Sequence, residues 1–197
     1  MKIPSQFSYS LFEPLKKYRN FVGLIIVVTT ACIFCAIMAG IKFNNSSMLI
    51  SFSNVTIVKF LRGNSGFGGM LFSNIFTISI FSAVIIISSC KRYTVSIGVF
   101  FYAYYVYAQS LTLIAFVLEF GIINTFVIAF CMLIIMLAMF FLLLELFLNC
   151  LECRISAVYI KQAFTKCLPI LIIIVLLLLV ESLVFFMLRN YVIVLVY

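Results

Sequence analysis

Five stretches of this chain are long and apolar enough to cross a lipid bilayer, and that removes most folds from consideration. Crossing about 30 Å of hydrocarbon takes about 20 apolar residues in a helix that rises 1.5 Å per residue. Runs of this kind occupy Phe21–Ile41, Leu71–Ser89, Thr94–Leu118, Ile122–Leu148 and Leu168–Leu188. Hydrocarbon offers no water to backbone N–H and C=O groups, so each run must satisfy them internally, as a helix. The expected fold is all-α: a polytopic transmembrane helical bundle of about five spans, one membrane domain over residues 1–197. Composition agrees. Hydrophobic residues make up 66% of the chain and charged residues 9%, where soluble domains average roughly 45–50% and roughly 25%. So few charges cannot cover a water-facing surface, and the apolar excess must face lipid.

The stretch from 94 to 148 is nearly continuous in its hydrophobicity. A charge beside a glycine favours a tight turn at the interface, so the sequence predicts a break at Glu119-Phe120-Gly121. The first run follows about twenty polar and basic residues and has no Ala-x-Ala exit, which reads as an uncleaved anchor rather than a signal peptide. Lys and Arg set the orientation. A cytoplasmic N-terminus and an external C-terminus put Lys2, Lys16, Lys17, Arg19, Lys91, Arg92, Arg154, Lys161 and Lys166 inside. Lys42, Lys59, Arg62 and Arg189 then lie outside. Nine against four satisfies the positive-inside rule. The net charge of +8 follows from these helix-flanking positions, and no nucleic-acid partner is expected.

Two segments outside the spans carry expectations. Residues 42–70 form an outer loop ending in Gly63-Asn-Ser-Gly-Phe-Gly-Gly69. That ending has neither the Gly-Lys-Ser/Thr nor the preceding strand of a phosphate loop, and reads as a flexible hinge. Residues 149–167 set Leu151, Ile155, Tyr159 and Phe164 among Arg154, Lys161 and Lys166. That pattern predicts an amphipathic helix lying on the cytoplasmic leaflet.

The chain contains no His and no Asp, and its acids are five Glu. Ser-His-Asp triads, histidine metal sites and aspartyl-phosphate chemistry are thereby excluded. No cofactor or metal is expected. Polar groups within the spans are then the informative ones, because in lipid they must be paired or face a cavity. Glu181 lies inside the fifth run, about two turns from its outer end. Tyr102, Tyr105, Gln109 and Thr112 recur at three- and four-residue intervals on the third, which puts them on one helical face continuing toward Glu119. That face should point into the bundle. It serves either as interhelical hydrogen bonding or as a polar pathway closed on its outer side by Glu119 and Glu181, with Glu181 expected to meet the Tyr/Gln face.

The seven cysteines do not suggest a disulfide framework, being odd in number and mostly inside apolar runs. In the first run Cys32, Ala36 and Gly40 repeat every four residues, as do Ala31, Cys35 and Ala39. These are two adjacent small-residue stripes of the kind that lets helices approach closely. Cys150 and Cys153 form a second Cys-x-x-Cys spacing, without the strand–helix context of redox motifs.

The layout of a basic N-terminus, one span, a modest outer loop and four further spans resembles the stage II sporulation protein M family of bacterial membrane proteins. Glu119-Phe-Gly-Ile-Ile-Asn-Thr-Phe-Val-Ile128 is similar to that family's charged-residue–Gly segment opening a middle span. Leu168-Pro169, with the apolar run into Val180-Glu181-Ser182, is similar to its last span, which carries an intramembrane acid. The chain departs from the pattern in having Glu119 where His is expected and in lacking a Thr-Pro after the acid near 181. The resemblance implies a non-enzymatic scaffold or anchor in the cell membrane, binding membrane lipids and other membrane or extracytoplasmic proteins. Two further classes fit the residues. One is a permease subunit driven by a separate ATPase, suited by the basic start at 7–19 and the polar stripe. The other is a membrane-embedded enzyme using Glu119 and Glu181 as an acid/base pair.

Overall fold

The computed structural model describes residues 18–43, 66–89, 93–120, 122–153 and 159–196. They form five helices: α1 (Arg19–Phe43), α2 (Phe67–Ser88), α3 (Val95–Phe120), α4 (Ile122–Cys153) and α5 (Tyr159–Val196). All five are long and apolar enough to cross a membrane, so the protein is a multi-pass, all-α membrane bundle. α3 ends at Phe120 and α4 begins at Ile122, at the predicted Glu119-Phe120-Gly121 boundary, with Gly121 outside the described residues. α5 has 38 residues, roughly 57 Å at 1.5 Å each, and therefore extends beyond the hydrocarbon. Pro169 sits within it, where the missing N–H and the ring favour a local bend.

Two boundaries differ from the sequence expectation. The glycine-rich ending of the outer loop does not remain a hinge through Gly69: Phe67, Gly68 and Gly69 form the first turn of α2. Gly66 occupies its N-cap with extended backbone and no side-chain cap. Glycine is a poor helix former, but Phe67 meets Phe186 of α5 edge-on at 5.5 Å, a tertiary contact that anchors the turn. The rest of the outer loop, residues 44–65, lies outside the described residues. The second difference concerns 149–167, expected as one in-plane helix. Residues 149–153 instead complete α4 and 159–167 begin α5, with 154–158 outside the described residues. The apolar side of this segment is used for packing: Cys150, Leu151, Ala163 and Cys167 are all buried.

α3 packs against α1, α2 and α4, while α5 packs against α4 and α2, and α2 also reaches α4. The core draws on Ile78, Phe81 and Ile85 of α2, Tyr102, Tyr105 and Val106 of α3, Leu143 and Phe147 of α4, and Ile174 and Leu178 of α5. Phe81 gathers the Phe101, Tyr104 and Tyr105 rings around it at 5.2–6.1 Å. Lipid tails are as apolar as these side chains, so helix association here rests on close packing and polar contacts rather than on escape from water.

Close approach is visible at two glycines. A Cβ on Gly40 would lie 2.5 Å from Ile114 Cγ2, so the C-terminal part of α1 nearly touches α3. Of the two predicted small-residue stripes, Cys32, Ala36 and Gly40 form this contact: Ala36 and Gly40 are buried and Cys32 packs on the core. Ala31 and Cys35 are exposed. At the other end, Gly98 of α3 lies against Ser88 and the Phe147 ring. Ser89 there bonds back to the Ile85 carbonyl, and Thr94 Oγ1 donates to the Ser88 carbonyl at 2.6 Å, closing the α2–α3 connection.

Candidate functional site

A helix buried on one face in a bilayer can present polar groups either to a neighbouring helix or to a cavity. The polar stripe of α3 does both. Tyr102 turns toward α1, where its hydroxyl meets Thr29 Oγ1 at 3.2 Å. Thr112 is fully buried and donates to the Ala108 carbonyl of its own helix at 2.9 Å. Ser110 donates in the same way to the Val106 carbonyl at 2.8 Å. These back-bonds satisfy the Thr112 and Ser110 hydroxyl donors.

Tyr105 and Gln109, on the same stripe, reach toward α2 and α5. Gln109 lies one turn beyond Tyr105 and engages its hydroxyl. Glu181 of α5 approaches the same hydroxyl closely enough to interact with it electrostatically. Together with Asn74 and Thr77 of α2, and with Ile78 and Leu178 as apolar walls, these side chains line one small polar cavity. Its volume is about 10 Å³, room for about one water molecule. Asn74, Tyr105 and Glu181 are 5%, 6% and 9% exposed. Among the described residues, no Lys or Arg lines the cavity.

The expected meeting of Glu181 with the Tyr105/Gln109 face is therefore present, while the expected outer pathway has a different shape. Glu119 is in the last turn of α3, ten residues beyond Gln109, which is about 15 Å along the axis. Its side chain lies outside the described residues. The cavity beside Glu181 is lined from α3 by Tyr105 and Gln109, both well short of the Glu119 backbone. Glu145, on α4, is half-buried, and the Asn149 side-chain amide donates to its backbone carbonyl at 2.9 Å.

Asn74 and Thr77 are site residues that sequence reading missed. Asn74, Ile78, Phe81 and Ile85 share the buried face of α2, so an Asn on an otherwise apolar buried stripe was the available signal. A second unforeseen pair lies at the other end of the bundle. Cys150 of α4 and Cys167 of α5, both fully buried, approach to 3.4 Å between sulfurs. Both are free thiols. The spacing in sequence had drawn attention to Cys150 with Cys153, whereas the fold brings Cys150 to Cys167.

A larger groove of about 370 Å³ lies between α2 and α5, lined by Ile78, Ser82, Ile86, Leu171 and Ile174 among others. Its lining is apolar except for Ser79 and Ser82. Ser79 donates to the Ile75 carbonyl at 2.7 Å. No hydrogen bond engages the buried Ser82 or Ser182 hydroxyl among the described residues.

No family model, no curated protein and no solved structure matches this chain.

Proposed function

We propose that this chain is a non-enzymatic scaffold or anchor of a bacterial cytoplasmic membrane, holding other membrane or extracytoplasmic proteins in a complex. The reading is supported above all by how the intramembrane polar groups are used. Tyr102 ties α3 to α1, Thr112 and Ser110 bond to their own helix, and Tyr105, Gln109 and Glu181 surround space for a single water-sized body. Polar side chains spent in this way hold helices together, and among the described residues the polar space they enclose is about the size of one water molecule. The layout it shares with the sporulation protein M family points the same way, as does the outer loop around residues 44–65, long enough to present a partner-binding segment.

The decisive experiment is purification of the tagged chain from its native host in a mild detergent, with mass spectrometry of the proteins retained. Wall-degrading enzymes or other extracytoplasmic proteins are expected, and deleting residues 44–68 should release them. The apolar groove between α2 and α5 favours a second reading, a permease subunit for an apolar solute driven by a separate ATPase. Retention of a nucleotide-binding subunit, with solute movement lost on substituting Gln109 or Glu181, would replace the scaffold by that permease.

A further inference from the structure

The small polar cavity has a composition that helix packing alone does not require. A carboxylate taken out of water needs a compensating charge or a full set of hydrogen bonds, and a charge held inside a bilayer is costly without them. Glu181 is more than nine-tenths buried. Among the described residues it makes no ion pair, and no basic side chain lines its cavity. The helices around it supply hydroxyls and amides.

We propose that this cavity is a binding site for one sodium ion, which clasps α2, α3 and α5 together through Asn74, Thr77, Tyr105, Gln109 and Glu181. Three features carry the assignment. The first is size, since about 10 Å³ admits one water-sized body and a dehydrated sodium ion is of that order. The second is the donor set. The five side chains offer two carboxylate, two amide and two hydroxyl oxygens, the hard ligands that cations without soft character prefer. Gln109 engages the Tyr105 hydroxyl through its side-chain amide, which carries a carbonyl oxygen as well as its N–H groups. The third is charge. One carboxylate and no base neutralise one positive charge, so a monovalent ion leaves the site neutral in the low-dielectric interior, whereas a divalent ion leaves a net charge there.

The position suits entry from the outer surface. Asn74 is seven residues inside the start of α2, about 10 Å along the axis. The ion's role is mechanical: three helices contribute ligands, so binding favours their assembled state over any arrangement in which they separate. This goes beyond the scaffold reading and stands or falls independently of which partners are retained on purification.

The test uses the full-length chain in detergent. Its melting temperature should rise saturably with sodium chloride at constant ionic strength, with choline chloride as the balancing salt and no comparable rise in choline alone. Glu181→Gln and Gln109→Leu should each abolish the sodium-dependent rise. Ser79→Ala, outside the cavity, should keep it. If Glu181→Gln fails to fold, radioactive sodium retained on the immobilised wild-type chain provides the second measurement. One ion per chain, displaced by unlabelled sodium and not by choline, is the expected result. Equal melting temperatures in sodium and choline with no sodium retained, whether or not stability then varies with pH, would overturn the proposal in favour of a proton or a water molecule in the cavity.

Discussion

The Tyr102 hydroxyl and Thr29 Oγ1 stand 3.2 Å apart across the contact between α3 and α1. The Thr29 hydroxyl hydrogen is directed to the Ile25 carbonyl at 2.8 Å, so Tyr102 is the donor in the bond between the helices. α1 packs chiefly on α3, which makes this bond one of the few polar links holding the first span. Tyr102→Phe removes the link and leaves the Thr29 donor satisfied. The expected loss is about 0.6 kcal/mol, the average for intramembrane hydrogen bonds. Equilibrium unfolding in mixed detergent micelles measures it, and an unchanged midpoint would mean the bond adds nothing to α1 docking.

Gly98 is placed where any side chain meets two neighbours. A Cβ there would run into Ser88 Oγ and lie 2.9 and 3.0 Å from Phe147 Cζ and Cε2. Phe147 is itself fully buried and cannot swing into open space. Gly98→Ala should therefore destabilise the bundle by about 1–3 kcal/mol, as overpacking does. Trimming the obstacle with Phe147→Leu in the same chain should recover part of the loss, which thermal unfolding of the single and double variants would reveal.

Tyr105 and Gln109 should behave as a coupled pair. Tyr105→Phe leaves the half-buried Gln109 amide facing an apolar ring edge, a loss of about 0.5–1.5 kcal/mol. Gln109→Leu added to that variant removes the stranded donor, so the double variant should be more stable than the sum of the two single losses implies. Strict additivity in the double-mutant cycle would show that the two side chains do not interact.

The two buried thiols at the α4–α5 end give a direct check on the fold. Diamide takes up two hydrogens when two neighbouring thiols join as a disulfide. With a protease site placed in 154–158, diamide-treated chains cut there should stay joined until reduced. Cys150→Ser or Cys167→Ser should abolish the linkage, while Cys153→Ser should leave it intact. Loss on Cys153→Ser instead would contradict the approach of Cys150 to Cys167.

The orientation expected from the basic residues, with the N-terminus inside, can be read chemically. In a chain without its native cysteines, Ser65→Cys should react with a membrane-impermeant maleimide on intact cells. Ser5→Cys should react only after permeabilisation. The reverse pattern would invert the bundle and place the polar cavity nearer the cytoplasmic face.

What the sequence determined by itself is what depends on neighbours within one helix. The five spans follow from length and hydropathy, and the α3–α4 break from a charge beside Gly121. The Cys32/Ala36/Gly40 face follows from a period of four. Each is set by the backbone's need for internal hydrogen bonds and by residues one turn apart. The tertiary structure decided which helix each face meets. Tyr102 and Tyr105 share one stripe, yet the first bonds to α1 and the second joins Glu181 beside α2 and α5. Cys150 of α4 meets Cys167 of α5, and Phe186 draws Phe67 into α2. The physical reason is the solvent. In lipid an apolar face gains little by choosing a protein neighbour over an acyl chain. Hydrophobic period therefore marks the helices, but only shape and a few polar contacts choose their partners.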